Sequence, residues 1–433
     1  MLVYTTKITN RFQFVLRQMF VRILEIPIAF TSSLDEFVAF SGPKFSYAPE
    51  SLGQEFHVFA TGFLQEQGIS YRALKTGVWH DYPVIFAHAK PSKIPFDIFS
   101  ASFYCLTRYE EYLPHIKDEE GCFPAHQSWV FEQKALELPL VDLWAVRFLA
   151  LLQEEFPEWT PPPKMLKATP ISYFEIQSPL KYFYKTRLSK WYQFFQSIWK
   201  LNLLDALEQV FVELHLIKDP HDNYEEILTQ IRQQQSKAEF YFLFSQRSIN
   251  RIATAIYNTR FHSLIKGVSD YSLTTSLLSE NAQLHEDVLG KEIENLTKLI
   301  HRPIKRSRFQ GGLRSISKAY VNLLQQEVLH DLSMGYEKQV GYRASTAVAF
   351  YYYDLENEYQ TPLMIHPVVA TEKGLREFSC EEAFSKLSKY EDKLPTTTAI
   401  QRVFFSNLIW QENEENEQWR LEFFNYLKKH ANS

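Results

Sequence analysis

Tyr173-Phe174-Glu175-Ile176-Gln177-Ser178-Pro179 is the stretch whose reading decides the fold. It forms the end of a β-prone run from Ile171 to Ile176. Just upstream stands Pro161-Pro162-Pro163, and consecutive prolines cannot continue a helix and favour an extended spacer. The strand closes on a carboxylate, Glu175, and the polar residue two places on, Gln177, is a neutral amide. A chain of 433 residues is long for one domain, and at roughly 100–200 residues per domain two are expected. We therefore place a domain boundary at the prolines, giving an N-terminal α/β domain over 1–160 and a second domain over 165–433.

Beyond the prolines, strand-like runs alternate with helical ones. The strands read as Ile171 to Ile176, Glu239 to Phe244, Tyr271 to Leu277, Phe350 to Tyr353, Leu363 to Val369 and Val403 to Ile409. Helices include Glu286 to Ile300, Ser315 to Val328 and Cys380 to Tyr390, the last behind a capping box of Ser379 and Glu382. Such alternation predicts a mainly parallel sheet with helices outside it.

Before the prolines, Leu2-Val3-Tyr4 reads as a short strand, and Thr9 or Asn10 can cap a helix. That helix carries Phe12, Val15, Leu16, Met19, Phe20, Ile23 and Leu24 at helical spacing, with Arg11, Arg17 and Arg22 on its other face. It reads as a core-facing helix with a solvated side; the other reading is a basic amphipathic helix lying on a membrane. A second helical pattern runs from Phe96 to Tyr112, with Arg108, Glu111 and Tyr112 on a shared face and Arg108–Glu111 as a local contact of a few tenths of a kcal/mol. A third extends from Asp142 to Phe156, with Leu143, Val146, Leu149 and Leu152 on one side.

Composition excludes several functions. Apolar residues are 45% and charged ones 22%, as in an ordinary globular protein. Glycine is scarce at 13, and no G-x-G-x-x-G or P-loop phrase occurs. A net charge of −5 and a pI near 6.3 give no field that would hold nucleic acid. The short basic clusters Lys305 to Arg308 and Lys428-Lys429 read as solvated faces. Cys105, Cys122 and Cys380 have no metal or redox spacing, which fits a reduced compartment. Lys7, Arg11, Arg17 and Arg22 interrupt the N-terminal apolar runs, and no stretch approaches 18 apolar residues, so neither an export signal nor a membrane span is expected. The expected location is cytoplasmic.

Several phrases resemble those of one family. Tyr173 to Pro179 resembles the first-strand motif T-F-D-x-D of the polysaccharide deacetylases, the NodB-like carbohydrate esterases, with Glu175 and Gln177 at the two Asp positions. Asp331 to Tyr336, Gly341 to Thr346, Phe350 to Leu355 and Thr361 to Pro367 resemble D-Y-S-M-G-Y, G-F-R-A-S-T, F-Y-F-Y-D-L and T-P-L-R-I-H-P of bacterial relatives. Phe96 to Tyr112, Gly121 to Ala125 and Pro139 to Trp144 resemble phrases that precede the deacetylase module in those relatives. The resemblance implies a distorted NodB-like (β/α) barrel after the N-terminal α/β domain.

It also implies a chemistry that can be checked position by position. The family uses a divalent metal such as zinc, held by Asp-His-His, to lower the pKa of bound water from about 15.7 to about 7. The first Asp of its motif is the catalytic base and the second a metal ligand. Here Glu175 stands at the base position and Gln177 at the ligand position. The G-I-H-P-S histidine corresponds to Leu277, S-R-x-H to Ser307-Arg308-Phe309-Gln310, and W-H-N to Phe405 to Trp410, which contains no His. His262, His285, His301, His330 and His366 share no metal-ligand spacing.

We therefore expect no bound metal or other cofactor, and three functions stay open: a catalytically degenerate deacetylase-like protein that binds a glycan or a protein partner, an active deacetylase with a site built on Glu175, or an assembly protein without glycan contact. The candidate catalytic residues are Glu175, Arg343 and Asp331, with Arg343 expected in a buried ion pair with Asp331 or Glu175. The candidate binding residues are Gln177, Tyr336, Tyr342 and His366, the last because it ends a strand. The aromatic run Phe350 to Tyr353 reads as sheet core or as a sugar platform.

Overall fold

The computed structural model describes residues 1–163, 171–182, 191–192, 195–196, 199, 203–234, 236–245, 258–411 and 413–431. The chain forms two compact units. One comprises Met1–Ala168, Met334–Val369 and Lys389–Gln401; the other comprises Thr169–Ser333, Ala370–Ser388 and Arg402–Ser433. Two late segments thus count with the first unit.

The first unit is built on a 4-stranded parallel sheet in the order Ala29–Thr31, Leu2–Thr5, Lys44–Ala48, His57–Phe59. Thr9 caps the first helix, Asn10–Leu16, by accepting from the Phe12 amide, and a π-helical turn, Arg17–Ile23, extends it. Helices Ile98–Thr107 and Leu140–Glu155 belong to the same unit. Its core is aromatic: the Phe45 ring centre lies 5.4 Å from Phe148 and 5.7 Å from both Phe20 and Phe99.

Two local expectations change here. Arg11 is not on a solvated face: it is buried, donates through Nε to Glu358 at 2.9 Å, and lies over the Phe63 and Phe103 rings. The Phe96 to Tyr112 pattern is not one helix, because Arg108 takes a left-handed φ of 53° and a 3₁₀ turn, Tyr109–Tyr112, follows. That reversal turns the Arg108 guanidinium inward rather than along the helix surface. In the hairpin Phe350–Asp354 and Tyr359–Ile365, Phe350, Tyr352 and Tyr353 are buried, and Tyr353 packs 5.1 Å from both Phe14 and Phe103. This aromatic run is core.

The second unit has parallel strands in the order Ala370–Thr371, Val403–Ser406, Ile171–Ile176, Lys237–Leu243, Leu273–Leu278, Arg306–Phe309, His330–Asp331. Helices Tyr224–Gln233, Thr259–Tyr271, Glu286–Ile300 and Ile316–Gln325 lie between successive strands, as expected of a (β/α) unit. The Ser379 and Glu382 capping box is formed, each side chain accepting the other's backbone amide. The sheet is curled. Three strand spacings separate the Ile171 and Arg306 strands, about 14 Å across a flat sheet, yet Arg308 reaches Glu175 at 2.7 Å. This is a distorted (β/α) barrel architecture, as expected, in a chain that opens with an α/β domain.

Candidate functional site

The site in the second unit follows from strand register. Glu175 pairs in register with Tyr241, Tyr241 with Thr275, and Leu277 with Arg308. Side chains alternate across a strand, so Glu175, Tyr241, Thr275, Leu277 and Arg308 share one face, and Glu175 and Arg308 lie toward the C-terminal ends of their strands. In barrels and open α/β sheets that end carries function.

Both oxygens of Glu175 are engaged. Arg308 Nε donates to Oε2 at 2.7 Å and Gln177 Nε2 donates to Oε1 at 2.5 Å. Gln310 Nε2 in turn donates to Gln177 Oε1 at 3.0 Å, so the two amides form a relay ending on the carboxylate. Arg308 is 1% exposed; its NH1 donates to the Leu332 carbonyl at 2.8 Å and its guanidinium lies 4.4 Å from the centre of the Phe404 ring. The expectation of a solvated Lys305 to Arg308 face therefore fails at Arg308, whose strand turns it into the barrel. Below this pair on the same face, Arg306 meets Glu239 at 3.3 Å, and Tyr241 donates to that Glu at 3.0 Å.

Asp331 ends the last strand of this set and is fully buried. It accepts from the Ser333 amide at 2.8 Å and hydroxyl at 2.7 Å, and the Ser333 hydroxyl accepts from the Phe309 amide. Burial pushes the Asp331 carboxyl up to about 6, opposed by the Ser333 bonds, Tyr320 and Arg308. Asp331 thus holds together the strand ends that present Arg308. At the late strand, Ser406 ends the β-run and accepts from the Leu408 amide, opening the 3₁₀ turn Asn407–Trp410, where a longer strand was expected. Asn407 Nδ2 donates to the His221 carbonyl, and the His221 ring lies 3.1 Å from the Ser178 carbonyl.

Arg343, Tyr336, Tyr342 and His366 belong to the first unit. The carboxylate gripped by Arg343 is Glu111, a correction to the expected Asp331 or Glu175: Nε to Oε1 is 2.9 Å and NH2 to Oε2 is 2.6 Å. Arg108 Nε shares Glu111 at 2.7 Å, and Arg108 NH2 reaches Glu110 at 2.9 Å and the Tyr336 hydroxyl at 3.3 Å. The two guanidinium groups hold the Glu111 carboxyl down at about 2 against burial. The Arg108–Glu111 contact is therefore a buried charge pair, outside the class of exposed helix pairs. Tyr336 and Tyr342 are buried, and His366 is half-buried after the end of its strand.

The Pro139 to Trp144 and Gly341 to Thr346 phrases also meet. Asp142 accepts from the Thr346 hydroxyl at 2.5 Å and the Ala347 amide at 2.8 Å, and Val141 donates to the Ser345 carbonyl. Burial pushes the Asp142 carboxyl up to about 7.

A metal would have to be held by Glu175, Gln177, the side chain at 277 and Gln310. This donor set does not fit. Leu277 cannot ligate, the two amides carry no charge, and the single carboxylate already faces a guanidinium. Among the described residues no group of three His, Cys, Asp or Glu could hold a metal ion.

Residues 1–157 match a family profile described as a family of unknown function, DUF7033. No curated protein matches. Among solved structures, the chain is similar to a family 4 carbohydrate esterase from Streptomyces lividans at 10% identity, over 61% of this chain and 90% of that one, with a TM-score of 0.32. It is similar to a polysaccharide deacetylase from Bacillus cereus at 11% identity, over 61% and 89%, with a TM-score of 0.29. A pseudoenzyme of carbohydrate esterase family 4 from Bacillus anthracis is matched at 7% identity, over 63% and 66%, with a TM-score of 0.32.

Proposed function

We propose that this chain is a deacetylase-like protein that does not deacetylate and that uses its barrel to bind a glycan or a protein partner, with Gln177 as a contact group. The observation that carries the reading is the donor set around Glu175. Its carboxylate is held by Arg308 on one oxygen and by Gln177 on the other, and the chemistry of the resembled family needs a metal to lower the pKa of the water that such a base activates. The positions that would supply the metal with charge and imidazole hold an amide and a buried leucine. A fixed ion pair with a relay of two amides suits recognition of a ligand's hydroxyl and amide groups, because both Gln177 and Gln310 present donors and acceptors in a set orientation.

The test is restoration. Gln177→Asp with Leu277→His adds two ligands, so the variant should take up zinc weakly while releasing no acetate from chitin oligosaccharides or peptidoglycan. The wild-type protein should release none either, and should show saturable binding to one glycan by calorimetry that Gln177→Ala weakens. Acetate release by wild type that Glu175→Gln abolishes would overturn the proposal in favour of an active site built on Glu175.

A further inference from the structure

The N-terminal end of the curled sheet carries a second polar cluster, beneath the Glu175–Arg308 pair. Strand register fixes its members. Tyr173 pairs with Glu239 and with Phe404, and Arg306 with His330, so these side chains share the inner face with Glu175 and Arg308. Two residues before Glu239 and Phe404, on the same alternation, stand Lys237 and Arg402. Phe404, whose ring meets the Arg308 guanidinium at 4.4 Å and the Tyr173 and Tyr241 rings at 5.3 and 5.1 Å, stands between the two levels.

The charges of this cluster do not balance. Glu239 is the acid that register places at this end of the inner face, and it is already engaged: Arg306 NH2 lies 3.3 Å away and Tyr241 donates to it at 3.0 Å. Arg402 is buried beside them, 4% exposed. Burial pulls its guanidinium below the ordinary arginine value despite Tyr173 and Glu239, and Arg306 adds to the effect. Burial and Arg306 also pull the His330 ring down, so that ring is neutral near pH 7. Lys237, Arg306 and Arg402 against Glu239 leave two positive charges, three less one. A purely structural ion-pair network carries its own counter-charge, because an uncompensated charge in the interior is costly. Arg306 Nε is also buried without a hydrogen-bond partner. The Arg306 side chain keeps 22% of its surface exposed and Lys237 stands exposed at the rim, so a solute can reach the cluster from outside.

We propose that the N-terminal end of the barrel binds a phosphate dianion, free or as the head of a small phosphate monoester, between Arg306 and Arg402 with Lys237 at the rim. Planar guanidinium forks match phosphate oxygens, and a lysine adds a mobile point charge. Two uncompensated positive charges call for a dianion; a simple carboxylate would leave one of them unmet. The site lies at the opposite end of the strands from Glu175 and Gln177 and is independent of what the mouth of the barrel binds.

The experiment titrates the full chain with inorganic phosphate, glycerol 3-phosphate or acetate in chloride buffer at constant ionic strength, by calorimetry and by thermal unfolding. Both phosphates should bind at one site and raise Tm as their concentration passes Kd, the tighter of the two identifying the form of the ligand, and acetate should do neither. Arg306→Gln should weaken phosphate binding about tenfold or more, as loss of a charged hydrogen bond does. Glu239→Gln removes the competing carboxylate, keeps an acceptor for Tyr241, and should tighten binding. Lys291→Gln, at an exposed lysine of helix Glu286–Ile300, should leave it unchanged. If Arg306→Gln fails to fold, Lys237→Gln at the exposed rim carries the test and should weaken binding. The proposal is overturned by absence of phosphate binding, by an equal response to acetate, by Glu239→Gln binding no tighter than wild type, or by unchanged affinity in the Arg306 and Lys237 variants, which would make the phosphate an adventitious ion only.

Discussion

Replacing Arg308 by Met tests whether the barrel site is a fixed ion pair. The substitution keeps an apolar stem against Phe404 and removes the guanidinium, so the Glu175 carboxylate stays buried with only the Gln177 amide as partner. Breaking a buried pair by removing one partner costs about 3–5 kcal/mol. For a unit of this size each kcal/mol lowers Tm by about 2–4 °C, so a drop of roughly 6–20 °C is expected by calorimetry or circular dichroism. Glu175→Gln added to Arg308→Met removes the orphaned charge while Gln177 can still donate to the new amide oxygen. The double variant should therefore recover most of the loss. A Tm drop under about 2 °C for Arg308→Met, or a double variant no more stable than the single, would refute the argument.

Two further outcomes follow from the first unit. Asp142 holds its proton to about pH 7 when folded against 3.8 for the free side chain, so the folded state binds more protons between those values and stability falls as pH rises through them. Asp142→Asn should flatten that decline in urea midpoints, leaving the share due to Asp331, which has the same sign up to about pH 6; an unchanged slope would show that Asp142 is ionised throughout. Gly341 has φ +146°, and a Cβ there would lie 2.5 Å from Leu136 Cγ and 2.7 Å from its carbonyl oxygen, so Gly341→Ala should cost about 1–3 kcal/mol in urea unfolding, and a neutral result would mean that this turn relaxes freely.

The sheet of the barrel was legible because its elements are marked locally. Helix Glu286–Ile300 runs between the residues expected from its apolar spacing, and Ser379 with Glu382 caps the helix that follows them. Strand ends were less legible, since they depend on what competes for the boundary residue. Tyr271 reads as β-prone, but helix Thr259–Tyr271 takes it and Arg232 covers its ring, so the strand begins at Leu273. The cation of the site was hidden for a different reason. Arg308 looks like part of a basic surface cluster, and its pairing with Glu175, 133 residues away, exists only because the sheet curls. One signal was available: Arg308 stands two places after another arginine on an alternating strand, Arg306-Ser307-Arg308, a spacing that puts both on one face. Glu111 as the partner of Arg343 gave no such signal, because a left-handed residue inside an otherwise helical pattern decides where Arg108 and Glu111 point.

The late segments of the first unit have a consequence for synthesis. The carboxylate of Glu111 leaves the ribosome 232 residues before Arg343, its bidentate partner. At roughly 5–20 residues per second, the nascent chain waits on the order of ten to fifty seconds between them. Through that interval the Arg108, Glu110 and Glu111 cluster lacks its second guanidinium, and Asp142 lacks the Thr346 hydroxyl and Ala347 amide that it binds in the finished fold. The N-terminal segment therefore completes its buried charge cluster and the Asp142 contacts only after the barrel strands have been translated, so the order of synthesis runs across the order in which this unit can finish folding.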